Sequence, residues 1–149
     1  MELPLSDLGL KSSELTGEEG SLQPVDSTIL MPVLRALRGL RIGIAGLDEG
    51  TIRDRVANLL IEQGFSCRTE VVFAPRCRAD ILIEGGIVIE LKKQRPRTQD
   101  VLAQLVRYAK TGVVQGLILV LERSVSVPES IEGVPCKVVS LNSQWGIAL

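Results

Sequence analysis

Two short aliphatic segments joined by a glycine-containing turn constrain this chain more than any other feature. Residues 79–83 and 87–92 are rich in isoleucine and flank the tripeptide at 84–86. Alternating aliphatic residues around such a turn predict a β-hairpin. A three-residue loop places every aliphatic side chain in one layer, whereas a two-residue loop would shift the register and reverse one strand's faces. We therefore predict a three-residue loop with Gly86 in the left-handed conformation.

The same register brings three charged side chains together. Glu90 and Lys92 are two residues apart on one strand, so they share the face opposite to the aliphatic layer. Asp80 pairs with Glu90 and joins them there. Two carboxylates at about 5 Å repel each other unless a cation lies between them. A magnesium ion fits, because it prefers oxygen ligands, and Lys92 could then orient water or stabilise a phosphoryl transition state. The simpler interpretation is a surface ion pair of Lys92 with Asp80 or Glu90.

The remaining elements follow from apolar spacing and from helix-ending glycines. Helices are predicted over residues 31–40, 48–63 and 98–111, and further strands over residues 66–73, 116–121 and 136–141. After the first short helix, the order is therefore αβββαβ with one more strand at the end. Residues 1–30 are predicted to be an acidic, weakly structured extension, and residues 31–149 to be a single domain.

Composition excludes several classes of protein. The chain has no histidine, which excludes Ser-His and Cys-His nucleophiles and histidine metal sites. Its three cysteines are scattered, without the C-x-x-C spacing typical of zinc or redox sites. No apolar run reaches the roughly 20 residues that span a bilayer, and no signal peptide is evident, so we expect a cytoplasmic protein without a membrane partner.

Charge is distributed unevenly along the chain. Residues 1–30 contain six acids and one lysine, whereas residues 31–149 contain sixteen bases and twelve acids. Within the body, the bases at 92, 93, 95, 97, 107 and 110 are accompanied by a single acid, Asp100. This bias favours a polyanionic partner, although a solvated helix face would have the same composition.

Asp80, followed after a hairpin by Glu90-Leu91-Lys92, resembles the D...(D/E)-x-K signature of the PD-(D/E)XK nuclease superfamily. The resemblance covers about residues 42–122 and includes the predicted order of elements. Residues 78–82 and 89–92 are especially similar to the GxxExxY branch, and residues 46–52 resemble that branch's name motif. Two positions depart from the pattern, since Ala79 replaces the proline and Ile52 replaces the tyrosine.

The helix after the hairpin adds a fourth motif. Residues 104–108 resemble the Q-x-x-x-Y motif of RecB-like nucleases, and helical spacing places Gln104 and Tyr108 on one face. There they could contact phosphate, base or the catalytic lysine. Trp145 could stack on a base, but a lone tryptophan more often packs in a core.

The resemblance implies a restriction-endonuclease-like core, with a mixed central β-sheet flanked by helices, that hydrolyses phosphodiester bonds in DNA. Mg²⁺, for which Mn²⁺ would substitute, is then bound by Asp80, Glu90, the Leu91 carbonyl and Glu49. Asp54 and Glu62 are rivals for the place of Glu49. The catalytic set implied is Asp80, Glu90, Lys92, Glu49, Gln104 and Tyr108. The basic residues predicted to contact nucleic acid are Arg78, Lys93, Arg95, Arg97, Arg107 and Lys110.

Alternatives remain open at this point. The same fold could serve as a catalytically inactive DNA-binding or assembly module. A Holliday-junction resolvase would share the fold and site but requires a homodimer to cut two strands. The acidic extension could shield the basic face or bind a protein partner.

Overall fold

A computed structural model describes residues 23–40, 46–123 and 125–141 of the chain. Its three helices are α1 (Gln23–Gly39), α2 (Glu49–Glu62) and α3 (Thr98–Ala109). Its six strands are β1 (Cys67–Ala74), β2 (Cys77–Ile83), β3 (Ile87–Lys92), β4 (Gly116–Leu121), β5 (Ser130–Ile131) and β6 (Val134–Ser140). The predicted order αβββαβ is present from α2 to β4. Trp145 and residues 1–22 of the predicted extension lie outside the described residues.

The strands form one mixed sheet in the order β1-β2-β3-β4-β6-β5. β1, β2 and β3 are antiparallel neighbours, β3, β4 and β6 run parallel, and β5 returns antiparallel to β6. α3 connects the parallel strands β3 and β4, as a parallel pair requires a crossover. All six residues of β4 are buried, because this strand lies inside the sheet with helices on both faces.

Two aliphatic layers separate the sheet from its helices. On one face α1 and α2 pack against side chains such as Ile81, Ile89 and Ile118. On the other face α3 packs against a layer that includes Val88 and Leu119. The mixed sheet flanked by helices confirms the coarse fold prediction. No helix within the described residues is long and apolar enough to cross a membrane.

The hairpin has the predicted register. Ile83 pairs with Ile87, and Ile81 pairs with Ile89, around a three-residue turn. Gly86 has the predicted left-handed backbone with φ +93°, and Gly85 does so as well with φ +107°. The Gly86 amide donates to the Ile83 carbonyl at 3.0 Å and closes the turn.

α1 differs from its prediction. It begins at Gln23 rather than at residue 31, so Pro32 lies inside the helix and residues 23–30 of the predicted weakly structured extension are helical. Leu30 is buried, and its side chain lies against Gly116 of β4. This packing stabilises the first turns of α1, which the local sequence does not predict to be helical. Tertiary burial of an apolar face supports helices of weak propensity. β5 was not predicted, because two residues are too short for a periodic pattern.

We expect Gly86→Ala to destabilise the fold by more than the same change at Gly112. A Cβ at Gly86 would lie 2.8 Å from the Val113 carbonyl oxygen, in addition to the left-handed φ. Gly112 has φ +82° but nothing within 4 Å of its Cβ position, so it is the matched control for backbone strain alone. The strain costs about 1–2 kcal/mol at either position, and thermal or urea unfolding should show an additional loss at Gly86. Equal losses would contradict the close contact.

Candidate active site at the open end of the hairpin

Backbone pairing between β2 and β3 stops where the charged residues begin. The last paired residues are Ile81 and Ile89, and the next positions along the two strands are Asp80 and Glu90. There the carboxylates accept the main-chain hydrogens instead. The Asp80 amide donates to Glu90 Oε2 at 3.1 Å, and the Leu91 amide donates to Asp80 Oδ2 at 2.8 Å. The hairpin therefore opens at this end, with two acidic side chains between its strands.

The regular alternation of side chains between the two faces of the sheet is also interrupted in strand β2 at Asp80. In a regular strand, residues two apart share a face. Ala79, however, belongs to the layer under α3, whereas Ile81 belongs to the layer under α1 and α2. This break in alternation brings the Asp80 carboxylate to the edge of β3, within reach of the Leu91 amide.

Glu90 is the buried acid of the site, with only 3% of its surface exposed. Burial raises the pKa of Glu90 to about 8, and the neighbouring Asp80 carboxylate adds to the increase. Burial also raises the pKa of Asp80, against the lowering effect of the Leu91 amide. Two acids placed together in a dry location destabilise each other's charged form. A divalent cation that prefers oxygen ligands would relieve that repulsion, so the carboxylates of Asp80 and Glu90 fit such an ion.

α3 supplies the neutral hydrogen-bonding groups around Glu90. The Gln104 amide donates to Glu90 Oε1 at 3.4 Å and to the Tyr108 hydroxyl at 3.1 Å. The Tyr108 hydroxyl lies 2.5 Å from the Arg78 carbonyl oxygen and 3.1 Å from Glu90 Oε2. A hydroxyl has one hydrogen, so Tyr108 donates to one of these two acceptors at a time. The predicted shared face of Gln104 and Tyr108 is thus directed at Glu90.

Tyr108 is 1% exposed, and its ring meets Phe73 edge-on at a centroid distance of 5.1 Å. Burial and the nearby Glu90 raise its pKa. The hydroxyl of this enclosed side chain contacts Glu90 and the Arg78 carbonyl.

Tyr108→Phe is expected to lower the free energy of unfolding by about 1–3 kcal/mol, because it leaves buried polar groups without their partner. The ring contact with Phe73 is preserved in this variant. Gln104→Leu is the comparison variant, because it removes one hydrogen-bond donor to Glu90 and keeps the Tyr108 hydroxyl. Denaturant unfolding of both variants measures the difference. A Tyr108→Phe protein as stable as the native chain would show that the hydroxyl bonds add nothing.

Lys92 is half-buried at the end of β3, and it follows Glu90 on the same face of the strand. Its charge lowers the pKa of both Asp80 and Glu90, although burial outweighs it. It forms no ion pair within 4.0 Å with any carboxylate in the described part of the chain. The simple surface ion pair is therefore not what the structure contains.

Glu49 lies at the first turn of α2, beside the end of β3. Its Oε2 accepts the Lys93 amide hydrogen at 2.8 Å, so it contacts the main chain next to the site rather than Asp80 or Glu90. Asp48 caps the helix by accepting from the Thr51 amide at 2.8 Å. Both acids line a cleft of about 440 Å³ with Lys92, Lys93, Gln94, Arg95 and Pro96. The rivals Asp54 and Glu62 are exposed, and Asp54 pairs with Arg53.

An ion-paired cluster beside Asp80 was not predicted. Glu70 of β1 accepts from Arg53 Nη1 at 2.6 Å and pairs with Arg78 Nη2 at 3.1 Å. Glu70 has φ +52°, an uncommon conformation for a non-glycine residue. The partners are far apart in sequence, and no local pattern links a helix residue to a strand residue.

The six cations predicted to contact nucleic acid are not equivalent. Arg78 is held by Glu70, and Arg97 is 3.9 Å from Asp100. Arg107 donates to the Arg76 carbonyl at 2.9 Å and lies over the Tyr108 ring, so it has a structural role. Lys93 and Arg95 line the cleft beside Glu49, and Lys110 is exposed after α3.

The structure thus brings Asp80, Glu90, Gln104 and Tyr108 into direct contact and leaves Glu49 and Lys92 beside them. Among the described residues, no group of three or more acids or cysteines is arranged closely enough to hold a metal ion. No protein-family model matches the chain, and neither does a curated protein or a solved structure.

Proposed function

We propose that this protein is a divalent-metal-dependent nuclease that hydrolyses phosphodiester bonds in DNA, on a restriction-endonuclease-like core. The observation that supports it best is the opened hairpin end, where Asp80 and the 3% exposed Glu90 meet. Folding two carboxylates together in this way is unfavourable unless they have a partner of opposite charge. A function that requires a cation explains the arrangement.

Asp80, Glu90 and the Leu91 carbonyl would hold the ion, with Glu49 as the fourth contributor. Mg²⁺ would supply positive charge that lowers the pKa of an attacking water and neutralises a phosphoryl oxygen. Lys92 stands on the same face without a carboxylate partner among the described residues, where its ammonium orients water or stabilises charge on the phosphate. Gln104 and Tyr108 hold Glu90 in place through the hydrogen bonds described above.

The decisive experiment is cleavage of labelled single-stranded, double-stranded and branched DNA with Mg²⁺ or Mn²⁺. We expect cleavage with either metal, none with a chelator, and loss of roughly 100-fold or more for Asp80→Asn, because an ion is then bound weakly. Asp54→Asn, an exposed acid on α2, is the matched control and should retain activity. Metal-independent cleavage, or full activity in Asp80→Asn, would contradict the proposal.

One observation favours a second candidate, an inactive DNA-binding or assembly module on the same fold. Asp80 and Glu90 each already accept a main-chain hydrogen, which satisfies part of their hydrogen-bonding capacity without a metal. This candidate predicts DNA binding without cleavage. Calorimetric titration with Mn²⁺ separates the two candidates. Only the nuclease requires that the native protein bind Mn²⁺ and that Asp80→Asn lose this binding. A homodimer by mass measurement would extend the nuclease proposal to a junction resolvase.

A further inference from the structure

A basic cleft continues from the site along the edge of the sheet where β3 and β4 end. The cleft that contains Glu49 is lined by Lys92, Lys93 and Arg95. A second cleft of about 510 Å³ shares Gln94 and Arg95 with it and is completed by Glu122 and Arg123. The Glu122 amide donates to the Lys92 carbonyl at 3.0 Å, which fixes the two strand ends side by side. We name this surface, formed by residues 92–95 and 122–123, the edge cleft.

The cations of the edge cleft differ from those elsewhere near the site. Lys93, Arg95 and Arg123 form no ion pair with a described carboxylate. Arg78 and Arg107, in contrast, are engaged by Glu70 and by the Arg76 carbonyl. A cation already committed to a protein partner has to give up that interaction before it binds a phosphate. The edge cleft therefore holds cations next to the site that are available to an incoming polyanion.

The two acids of the first cleft, Asp48 and Glu49, do not fully cancel the positive charge of the edge cleft. Asp48 is committed to the helix cap, and Glu49 accepts the Lys93 amide hydrogen. Glu49 is also a proposed metal ligand, so its charge would be offset by the ion. Basic side chains that line a groove of this kind bind the phosphate backbone without reading base sequence.

We infer that the edge cleft binds the sugar-phosphate backbone of the DNA strand leading away from the scissile phosphate, with Lys93, Arg95 and Arg123 as its contacts. This inference rests on the proposed nuclease function. Arg123 is thereby assigned a role in substrate binding, and Arg78, Arg97 and Arg107 are assigned none.

The test is DNA binding measured by fluorescence anisotropy in the presence of a chelator, so that no cleavage occurs. Arg95→Glu/Arg123→Glu should weaken binding of a labelled duplex ~10-fold or more. Arg95→Ala/Arg123→Ala should reduce the slope of log affinity against log salt by about 2, since each lost duplex contact contributes about 0.9. The matched control is Arg35→Glu/Arg55→Glu, which changes net charge equally at exposed positions on α1 and α2. A single-stranded probe is compared in parallel.

Equal losses in both glutamate variants would overturn the inference, because general repulsion would then explain them. Unchanged binding in the edge-cleft variants would overturn it as well. In either case metal-dependent cleavage by the native chain still supports the nuclease. A native protein that binds the duplex through the edge cleft but cleaves no DNA supports this inference and contradicts the proposed activity.

Discussion

Lys92→Met is expected to reduce the single-turnover rate of DNA cleavage by about 100- to 1,000-fold, the range for removing one charge-stabilising donor from an active site. Methionine keeps the length of the aliphatic stem, so the half-buried end of β3 remains packed. The expected loss is large because Lys92 has no described carboxylate partner and stands beside Asp80 and Glu90. Its charge is thus available to the reacting phosphate.

Lys92→Ala should lose activity to a similar degree, since the missing ammonium is common to both variants. Arg55→Met is the control for removing one positive charge, because Arg55 is exposed on α2. Duplex affinity in chelator should fall much less than the rate. If cleavage persists undiminished in both Lys92 variants, this site does not perform the chemistry.

Without divalent metal, the native protein is expected to become less stable as pH rises from about 5 to about 8. The ordinary pKa of a glutamate side chain is 4.5, and the folded protein raises the pKa of Glu90 to about 8. Between these values the folded state binds one more proton than the unfolded chain, so the free energy of unfolding decreases with pH. The slope is at most about 1.4 kcal/mol per pH unit, which sums to several kcal/mol.

Glu90→Gln removes this titration while keeping the shape of the side chain. We expect the variant to be more stable than the native protein at pH 8 in chelator and to be inactive with metal. Mg²⁺ should stabilise the native protein at pH 8 and should not stabilise the variant. Denaturant unfolding at pH 5, 6, 7 and 8, with chelator or with Mg²⁺, measures the stabilities, and the DNA cleavage assay measures the activity.

Glu84→Gln is the control for the loss of one carboxylate, because Glu84 is exposed on the turn between β2 and β3. It should follow the native profile. A native protein whose stability is flat from pH 5 to pH 8 would mean that Glu90 is charged without penalty, and the argument for a required cation would be lost.

The hairpin shows how much of the candidate site was accessible from sequence. Aliphatic alternation admitted one register for residues 79–92, and that register placed Asp80 beside Glu90, as the structure confirms. The side-chain period of two makes such a pattern strict. The helical spacing of four likewise put Gln104 and Tyr108 on one face, but it could not identify Glu90 as their partner.

Other features depended on contacts between distant segments. Pairing of Arg53 and Arg78 with Glu70 joins a helix to two strands, and no local spacing encodes it. Arg107 donates to the Arg76 carbonyl, a partner 31 residues away in sequence that no local spacing indicates. The early start of α1 had the same origin, because Leu30 is buried by β4 rather than by its own helix.

By itself the sequence determined the order of elements from α2 to β4, the register of the hairpin and the helix face that Gln104 and Tyr108 share, because these follow from short-range periodicity and turn geometry. Tertiary structure decided how deeply Glu90 is buried, which cations are already engaged and where the hairpin opens. Burial and pairing depend on what distant segments place around a group, and it is this environment that sets the pKa of Glu90.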